Sequence, residues 1–556
     1  MEAVREEVRH RIGELLISRG LLTEDHLKVA MAEQVVTGAL LGEVLVKLGF
    51  VTPADLARAL AEQSGLEFID LDDFTITREA LKIIPRETAE SLEFIPLAVE
   101  EGLLFIGIIN TTNLKAIDFV TKLMGAPPRV YVVDSESFYN TVERVYFFME
   151  NPIEEHITEL INDNKESTTV EGLNTTRLVE LIIQDGIRRN ATDIHITPLA
   201  DTVHVFYRID GVLQHGHCLP EAYKFSMASR IKILSSLDIA EQRVPQDGSF
   251  TFSFLSKDFA VRTSLVPTVH GENIVLRVLG GGRALCNLKE LGFSGNDVGV
   301  LRSLFSKPYG LIIVSGPTGS GKTTTLYSAM RELNLLEKNI LTVEDPVEYR
   351  LAMTRQTSVS EKAGYGFARA GRSFMRQDPD VMLLGEIRDE ETASMAVRGS
   401  ITGHLVLTTL HANDAVSVIP RLLDLKIDRF LLSTALLAVI SQRLVRKICH
   451  ECKTSFTPGQ EYLTHLGIDD VHDKVTTAWK GEGCARCRGT GYAGRMVIGE
   501  VLVVTDEIRE MIYSAASIKT MREAALEGGM ISTSSRGMAR AMDGETTFEE
   551  VRRVTG

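Results

Sequence analysis

The chain has 556 residues, 44% hydrophobic and 24% charged, which is ordinary globular material and enough for about three or four domains. Its net charge of −15 counts against a surface devoted to nucleic acid. No apolar run approaches the ~20 residues of a membrane-spanning helix, and the opening MEAVREEVRH has no apolar core for a secretory signal, so a cytoplasmic protein is expected.

The first elements come in duplicate. RIGELLISRGLLTEDHLKVAMAEQ (11–34) is followed, after the five-residue spacer Val35–Ala39, by LLGEVLVKLGFVTPADLARALAEQ (40–63); at an offset of 29 the blocks share ten of 24 positions. Ile12, Leu15 and Leu16 fall at helical spacing, and Gly20 is suited to end that helix. Thr23 is a good N-cap for a second helix, with Glu24 and Asp25 favourable in its first turn; in the copy, Thr52 caps and Pro53 takes the first helical position. Leu27, Met31 and Gln34 share one face, as do Leu56, Leu60 and Gln63. Each block therefore predicts a helical hairpin, and a duplicated packing unit is the plain reading.

Residues 151–176 are polar and poor in large apolar side chains after Ile161, which predicts a linker. LVELIIQDGIRRNATDIHITPL, continuing to HVFYRIDGVL (178–213), predicts a helix followed by alternating strands. Of the six cysteines, Cys218 and Cys286 are isolated and are expected in the core.

LIIVSGPTGSGKTTTLYSAM (311–330) carries the strongest signal. Leu311–Val314 is a buried-strand run, Gly316-x4-Gly321-Lys322-Thr323 is a phosphate-loop pattern, and a helix follows. The loop residues Gly316, Pro317, Thr318, Gly319, Ser320, Gly321, Lys322, Thr323 and Thr324 suit a nucleotide's phosphates, all but the proline through backbone N–H groups; Lys322 reaches the β/γ-phosphates and Thr323 ligates Mg²⁺. NILTVEDPVEYR (339–350) predicts a strand ending in Glu344 and Asp345. DPDVMLLGEIRD (378–389) predicts the strand Val381–Leu384, then Gly385 and Glu386. In TGHLVLTTLHAND (402–414), His404 and His411 flank a strand, and both are expected at the ligand-binding edge of a parallel sheet. Finally, Cys449, Cys452, Cys484 and Cys487 form two C-x2-C pairs separated by 31 residues, a spacing that suits a structural, four-thiolate Zn²⁺ site.

GPTGSGKTT, TVEDPVEYR, RQDPDVMLLGEIRDEETA and TGHLVLTTLHANDA together resemble the secretion-ATPase superfamily, the type II secretion and type IV pilus assembly motors, from about Leu173 to the C-terminus. The resemblance implies a multidomain α/β protein: a RecA-like P-loop core (285–556), with a zinc-binding insertion in 445–495, behind a small PAS-like α+β domain (177–284). It implies a homohexamer hydrolysing ATP, with Glu344 as the catalytic carboxylate, Glu386 associated with Mg²⁺, and His404 and His411 near the γ-phosphate. By the same resemblance Arg208 and Arg230 swing onto the γ-phosphate, and the cysteine quartet marks assembly and secretion motors rather than retraction motors.

Residues 1–150 resemble the N-terminal domain of pilus ATPases of the mannose-sensitive haemagglutinin type, which binds cyclic di-GMP through two such motifs. The residues implied are Arg11, Ile12, Gly13, Leu27 and Gln34, then Leu40, Leu41, Gly42, Leu56 and Gln63, and Asn110 later in the domain. Leu40 stands where the first block has Arg11, and Asn110 where the family often has Asp. The expected protein is thus a cytoplasmic ATPase powering type IV pilus assembly under cyclic di-GMP control. It would be peripheral to the inner membrane through a platform protein, with no nucleic-acid partner and no transmembrane segment. The alternatives are a type II secretion ATPase, a nucleic-acid motor and a non-hydrolysing nucleotide sensor.

Overall fold

A computed structural model describes residues 12–163, 174–280, 287–333, 336–466 and 476–556. The chain divides into two compact units, Met1–Arg283 and Ala284–Gly556, each described on its own. Arg11 and Cys286 lie outside the described residues.

The first unit opens with helices Ile12–Ser18, Glu24–Thr37, Leu41–Lys47 and Pro53–Ser64. The Thr23 and Thr52 side chains accept from His26 N and Asp55 N, as the capping pattern predicts. The two blocks interlock rather than stand apart. Ile12–Ser18 packs against Pro53–Ser64, and Glu24–Thr37 against Leu41–Lys47. Arg19 pairs with Glu62, and Lys47 with Glu33 at 3.0 Å, one ion pair across each contact. A four-stranded sheet follows in the order Glu67–Phe68, Arg129–Val132, Leu103–Ile108, Phe94–Glu100. Helix Ser135–Glu150 closes its core, with the buried Tyr146 hydroxyl donating to Ile84 O at 2.6 Å.

The stretch expected as a linker begins otherwise. Ile153–Asp163 is a helix whose Ile153 and Ile157 are buried in one cluster with Leu178 and Ile182, and Glu154 pairs with Arg189 at 2.8 Å. An i, i+4 apolar pair is enough to dock an otherwise polar helix. Residues 164–173 are outside the description. Next comes a six-stranded antiparallel sheet: Val212–Pro220, Thr202–Ile209, Asp193–Pro198, Gly271–Leu279, Lys257–Thr268, Gln246–Phe254. Helices Thr175–Arg188 and Tyr223–Leu234 cover its inner face. Cys218 is exposed on the edge strand of this sheet, not in the core; alternation along the strand turns it outward.

The second unit is built on a seven-stranded sheet in the order Arg355–Ser358, Ile340–Glu344, Val381–Leu384, Leu405–Leu410, Gly310–Ser315, Leu436–Ile448, Tyr492–Val503. The first six strands are parallel and the last is antiparallel. The four central strands from Ile340–Glu344 to Gly310–Ser315 are buried along their whole length, which requires the continuous apolar runs seen in the sequence. The antiparallel pair Lys453–Phe456 and Ala478–Gly481 stands apart, and four helices from Asp506 to Thr555 finish the chain.

Candidate active site

Gly310–Ser315 ends in the glycine loop, and helix Lys322–Arg331 leaves it, so the loop opens at the C-terminal edge of the parallel sheet. Gly316 has φ +143°, and a Cβ there would lie 2.4 Å from Gln442 O. Lys322 Nζ donates to Gly316 O at 2.9 Å and Pro317 O at 3.1 Å. Burial lowers its pKa, against the opposing charge of Glu386. Ser315, Gly316 and Ser320 are buried while Pro317, Thr318 and Gly319 are exposed, so the loop presents its tip to solvent.

Glu386 follows strand Val381–Leu384 and lies near this lysine. Its Oε2 is 3.9 Å from His411 Nε2, and Arg388 pairs with it and with Asp345 at 3.5 Å. Burial lowers the His411 pKa, and the Lys322 charge lowers it further. Neutral imidazole is thereby favoured beside the loop. Glu344 ends the adjacent strand, 3% exposed.

His404 is elsewhere. It precedes strand Leu405–Leu410, His411 follows it, and six residues span about 20 Å. His404 O accepts from Gly310 N at 3.1 Å, at the opposite end of the phosphate-loop strand. Its Nδ1 lies 2.9 Å from Gly399 O and 3.2 Å from Thr402 Oγ1. Within the chain, then, it is a helix-end contact on the wrong edge of the sheet; flanking one strand separates two residues instead of joining them.

Two features had no sequence signal. Gln442 is fully buried and ties the phosphate loop to the helix that follows it: Nε2 donates to Ser320 O at 2.7 Å, and Oε1 accepts Thr325 Oγ1 at 2.9 Å. The partners are 122 and 117 residues away, beyond any local pattern. Tyr327 and Gln356 donate to Glu344. Arg388 could have been noticed, as a cation two positions beyond Glu386.

The other expected residues fall in three places. Arg208 and Arg230 belong to the first unit, in long ion pairs with Asp193 at 3.8 Å and Glu180 at 4.0 Å. The cysteines converge: Cys449–Cys484 and Cys484–Cys487 sulfurs are 3.7 Å apart and Cys452–Cys487 3.8 Å. Thiolates ~2.3 Å from a tetrahedral zinc lie about 3.8 Å from one another, so the quartet fits that ion; it is far too open for disulfides at ~2.05 Å. Gly483 N donates to Cys452 Sγ at 3.3 Å. Burial opposes ionisation of Cys487, yet N–H donors from Cys484 and Gly491 bring its thiol below the usual thiol range.

In the doubled block, a Cβ on Gly13 would lie 2.9 Å from Leu27 Cδ1, and one on Gly42 2.9 Å from Leu56 Cδ2. These glycines make room for leucines of their own blocks. Gln34 donates to Ala39 O at 3.1 Å, closing the spacer. Ile12 and Leu41 are half-buried and Leu40 is exposed; Gln63 lies on the last turn of Pro53–Ser64. Asn110 folds into its own turn, accepting from Thr112 N at 3.0 Å and Thr112 Oγ1 at 2.7 Å.

Strand, glycine loop, lysine-bearing helix and paired carboxylates on neighbouring strands are together the parts of a P-loop ATPase. The profile of the type II/IV secretion system protein family matches residues 170–553, and that of the MshEN domain matches 64–150, beyond the doubled block. The chain belongs to the type II/IV secretion system protein family. It is 36% identical to the type IV pilus assembly ATPase PilB of Myxococcus xanthus over 555 residues, 97% of this chain and 98% of that one. It is 41% identical to the type II secretion system protein HxcR of Pseudomonas aeruginosa over 403 residues, 72% and 82% of the two chains. The Legionella pneumophila ATPase DotB shares the fold: TM-score 0.50 and 18% identity over 68% of this chain and 95% of that one. Among the described residues no single helix is long and apolar enough to cross a membrane.

Proposed function

We propose that this chain is a ring-forming ATPase that powers type IV pilus assembly from the cytoplasmic face of the inner membrane. The observation that carries the reading is the meeting of Lys322, Glu386 and His411 at one sheet edge, with Glu344 ending a strand of the same edge. Lys322 and the loop N–H groups bind the phosphates, Glu344 polarises the attacking water, and His411 sits beside the γ-phosphate. Mg²⁺ arriving with ATP would be held by Thr323 and Glu386 and would neutralise phosphate charge. Arg208 and Arg230 belong to the α+β domain that precedes the motor (177–284 before 285–556). In a homohexameric ring they would add positive charge at the γ-phosphate.

End-to-end likeness to a pilus assembly ATPase supports the pilus over the secretion reading. A membrane-embedded platform protein would receive the motion. The MshEN-matching segment, with the doubled block before it, supports cyclic di-GMP as a regulator, and the sulfur geometry supports one structural Zn²⁺. The test is turnover of the purified full chain. Lys322→Ala should lose both ATP binding and hydrolysis. Glu344→Gln should bind ATP and turn over about 10²-fold more slowly. A normal rate in Glu344→Gln together with a slow Glu386→Gln would exchange the two carboxylates. Cyclic di-GMP is tested by calorimetry on the full chain. Arg11→Ala should weaken it about 10- to 100-fold, and no heat at high micromolar concentration would remove it as a ligand.

A further inference from the structure

Glu344 receives hydrogen bonds from three side chains on three different elements. Tyr327, from the phosphate-loop helix, donates to Oε2. Thr342, two residues back on the same strand, donates to Oε1 at 2.6 Å. Gln356, on the neighbouring strand Arg355–Ser358, donates to Oε1 at 3.1 Å. A carboxylate offers about four lone-pair sites. Both sites on Oε1 are taken, and one of the two on Oε2. The remaining lone pair is therefore on the oxygen that Tyr327 addresses.

The Tyr327 hydroxyl is itself constrained. It accepts the Glu348 N–H at 3.3 Å, which leaves its own proton for the carboxylate. Its ring is fully buried and stands edge-on to Tyr349, centroids 5.9 Å apart. Burial, and then the neighbouring Glu344 charge, hold the phenol's pKa above its ordinary value, so it remains a donor. Tyr327 also belongs to the helix that begins at Lys322. One rigid element thus carries the lysine for the phosphates and the hydroxyl for the carboxylate.

We propose that Tyr327 is a positioning residue for ATP hydrolysis: its hydroxyl occupies one lone pair of Glu344 Oε2 and so aims the other at the attacking water. The proposal rests on Glu344 being the water-polarising carboxylate. The gain is orientational. A base free to rotate presents its lone pair correctly only part of the time, whereas a base tied to the phosphate-loop helix keeps its direction relative to the γ-phosphate. Gln356 acts on the other oxygen and restrains the group without setting that direction.

The test compares three variants of the full chain. Tyr327→Phe keeps the ring and removes only the donor. Its kcat should fall ~10-fold or more, with KM for ATP and the affinity for a non-hydrolysable analogue within about twofold of wild type. Gln356→Leu should lose less than about threefold in kcat. A wild-type kcat in Tyr327→Phe alongside a slow Glu344→Gln overturns the proposal and leaves the base in place. A wild-type rate in Glu344→Gln removes the base itself. Equal kcat losses in Tyr327→Phe and Gln356→Leu, or losses confined to KM, would reduce Tyr327 to packing. Should Tyr327→Phe not fold, Gln356→Leu decides alone: a loss of ~10-fold or more there places the aim on Oε1 and overturns the proposal.

Discussion

Gly316 in the phosphate loop has φ +143°, and an added Cβ would meet the backbone oxygen of Gln442. Gly13 and Gly42 lie in helices, and an added Cβ would meet the flexible ends of Leu27 and Leu56. The first glycine is demanded by backbone that cannot move; the other two are demanded by side chains that can. Both regions look alike as glycine-bearing motifs, yet one glycine is approached by backbone and the others by side chains. A glycine in a motif therefore says that something comes close, and only the structure says what.

The comparison can be broken first at the phosphate loop. Gly316→Ala should lower kcat/KM for ATP about 10²-fold or more, because neither the φ nor the strand behind it can yield. A near-normal rate would mean that the loop relaxes after all. The cysteine cluster is the next largest effect. Purified protein should contain one zinc per chain, and Cys487→Ser should cost about 3 kcal/mol or more in stability, leaving kcat of the folded fraction within about twofold. Elemental analysis without stoichiometric metal, with all four thiols free, would end that reading.

A smaller effect is expected in the doubled block. Overpacking by Gly13→Ala costs about 1–3 kcal/mol, offset by ~1 kcal/mol of helix propensity, so the net loss is at most about 2 kcal/mol. In a Leu27→Ala background the same change should become neutral or stabilising. Denaturant melts of the four proteins in that cycle measure the coupling, and strict additivity would disprove the close approach. The smallest effect separates the two copies. Thr52 is buried and caps Asp55 N at 2.8 Å; Thr23 is exposed and caps His26 N at 3.2 Å. Thr52→Ala should cost about 1 kcal/mol and Thr23→Ala about half of that.

The core strands, the phosphate loop, the caps of the doubled block and the meeting of the cysteines were all legible, because each is written in local pattern or fixed spacing. Val381–Leu384 and Lys322–Arg331 fall where the apolar run and the loop put them. What escaped was long-range or directional. His404 was misplaced because sequence adjacency to a strand does not say which end of the strand faces the ligand. Gln442 and Tyr327 resemble any buried strand and helix residues until distant partners arrive. The docking of Ile153–Asp163 rests on two isoleucines in an otherwise polar stretch, too few to stand out. Cys218 was assigned by residue type, and strand alternation overruled it.

The interlocking of the two blocks has a consequence for how such a domain can exist at all. Each helix of one copy has its main helical partner in the other copy, so a lone 24-residue block keeps little more than the approach of its own glycine and leucine. Expressed singly, it would stay unfolded or find a second molecule of itself, and the pair here amounts to a homodimer joined by the spacer Val35–Ala39. Cleavage at that spacer need not destroy the unit, since the halves would remain held by the surfaces that a dimer would use.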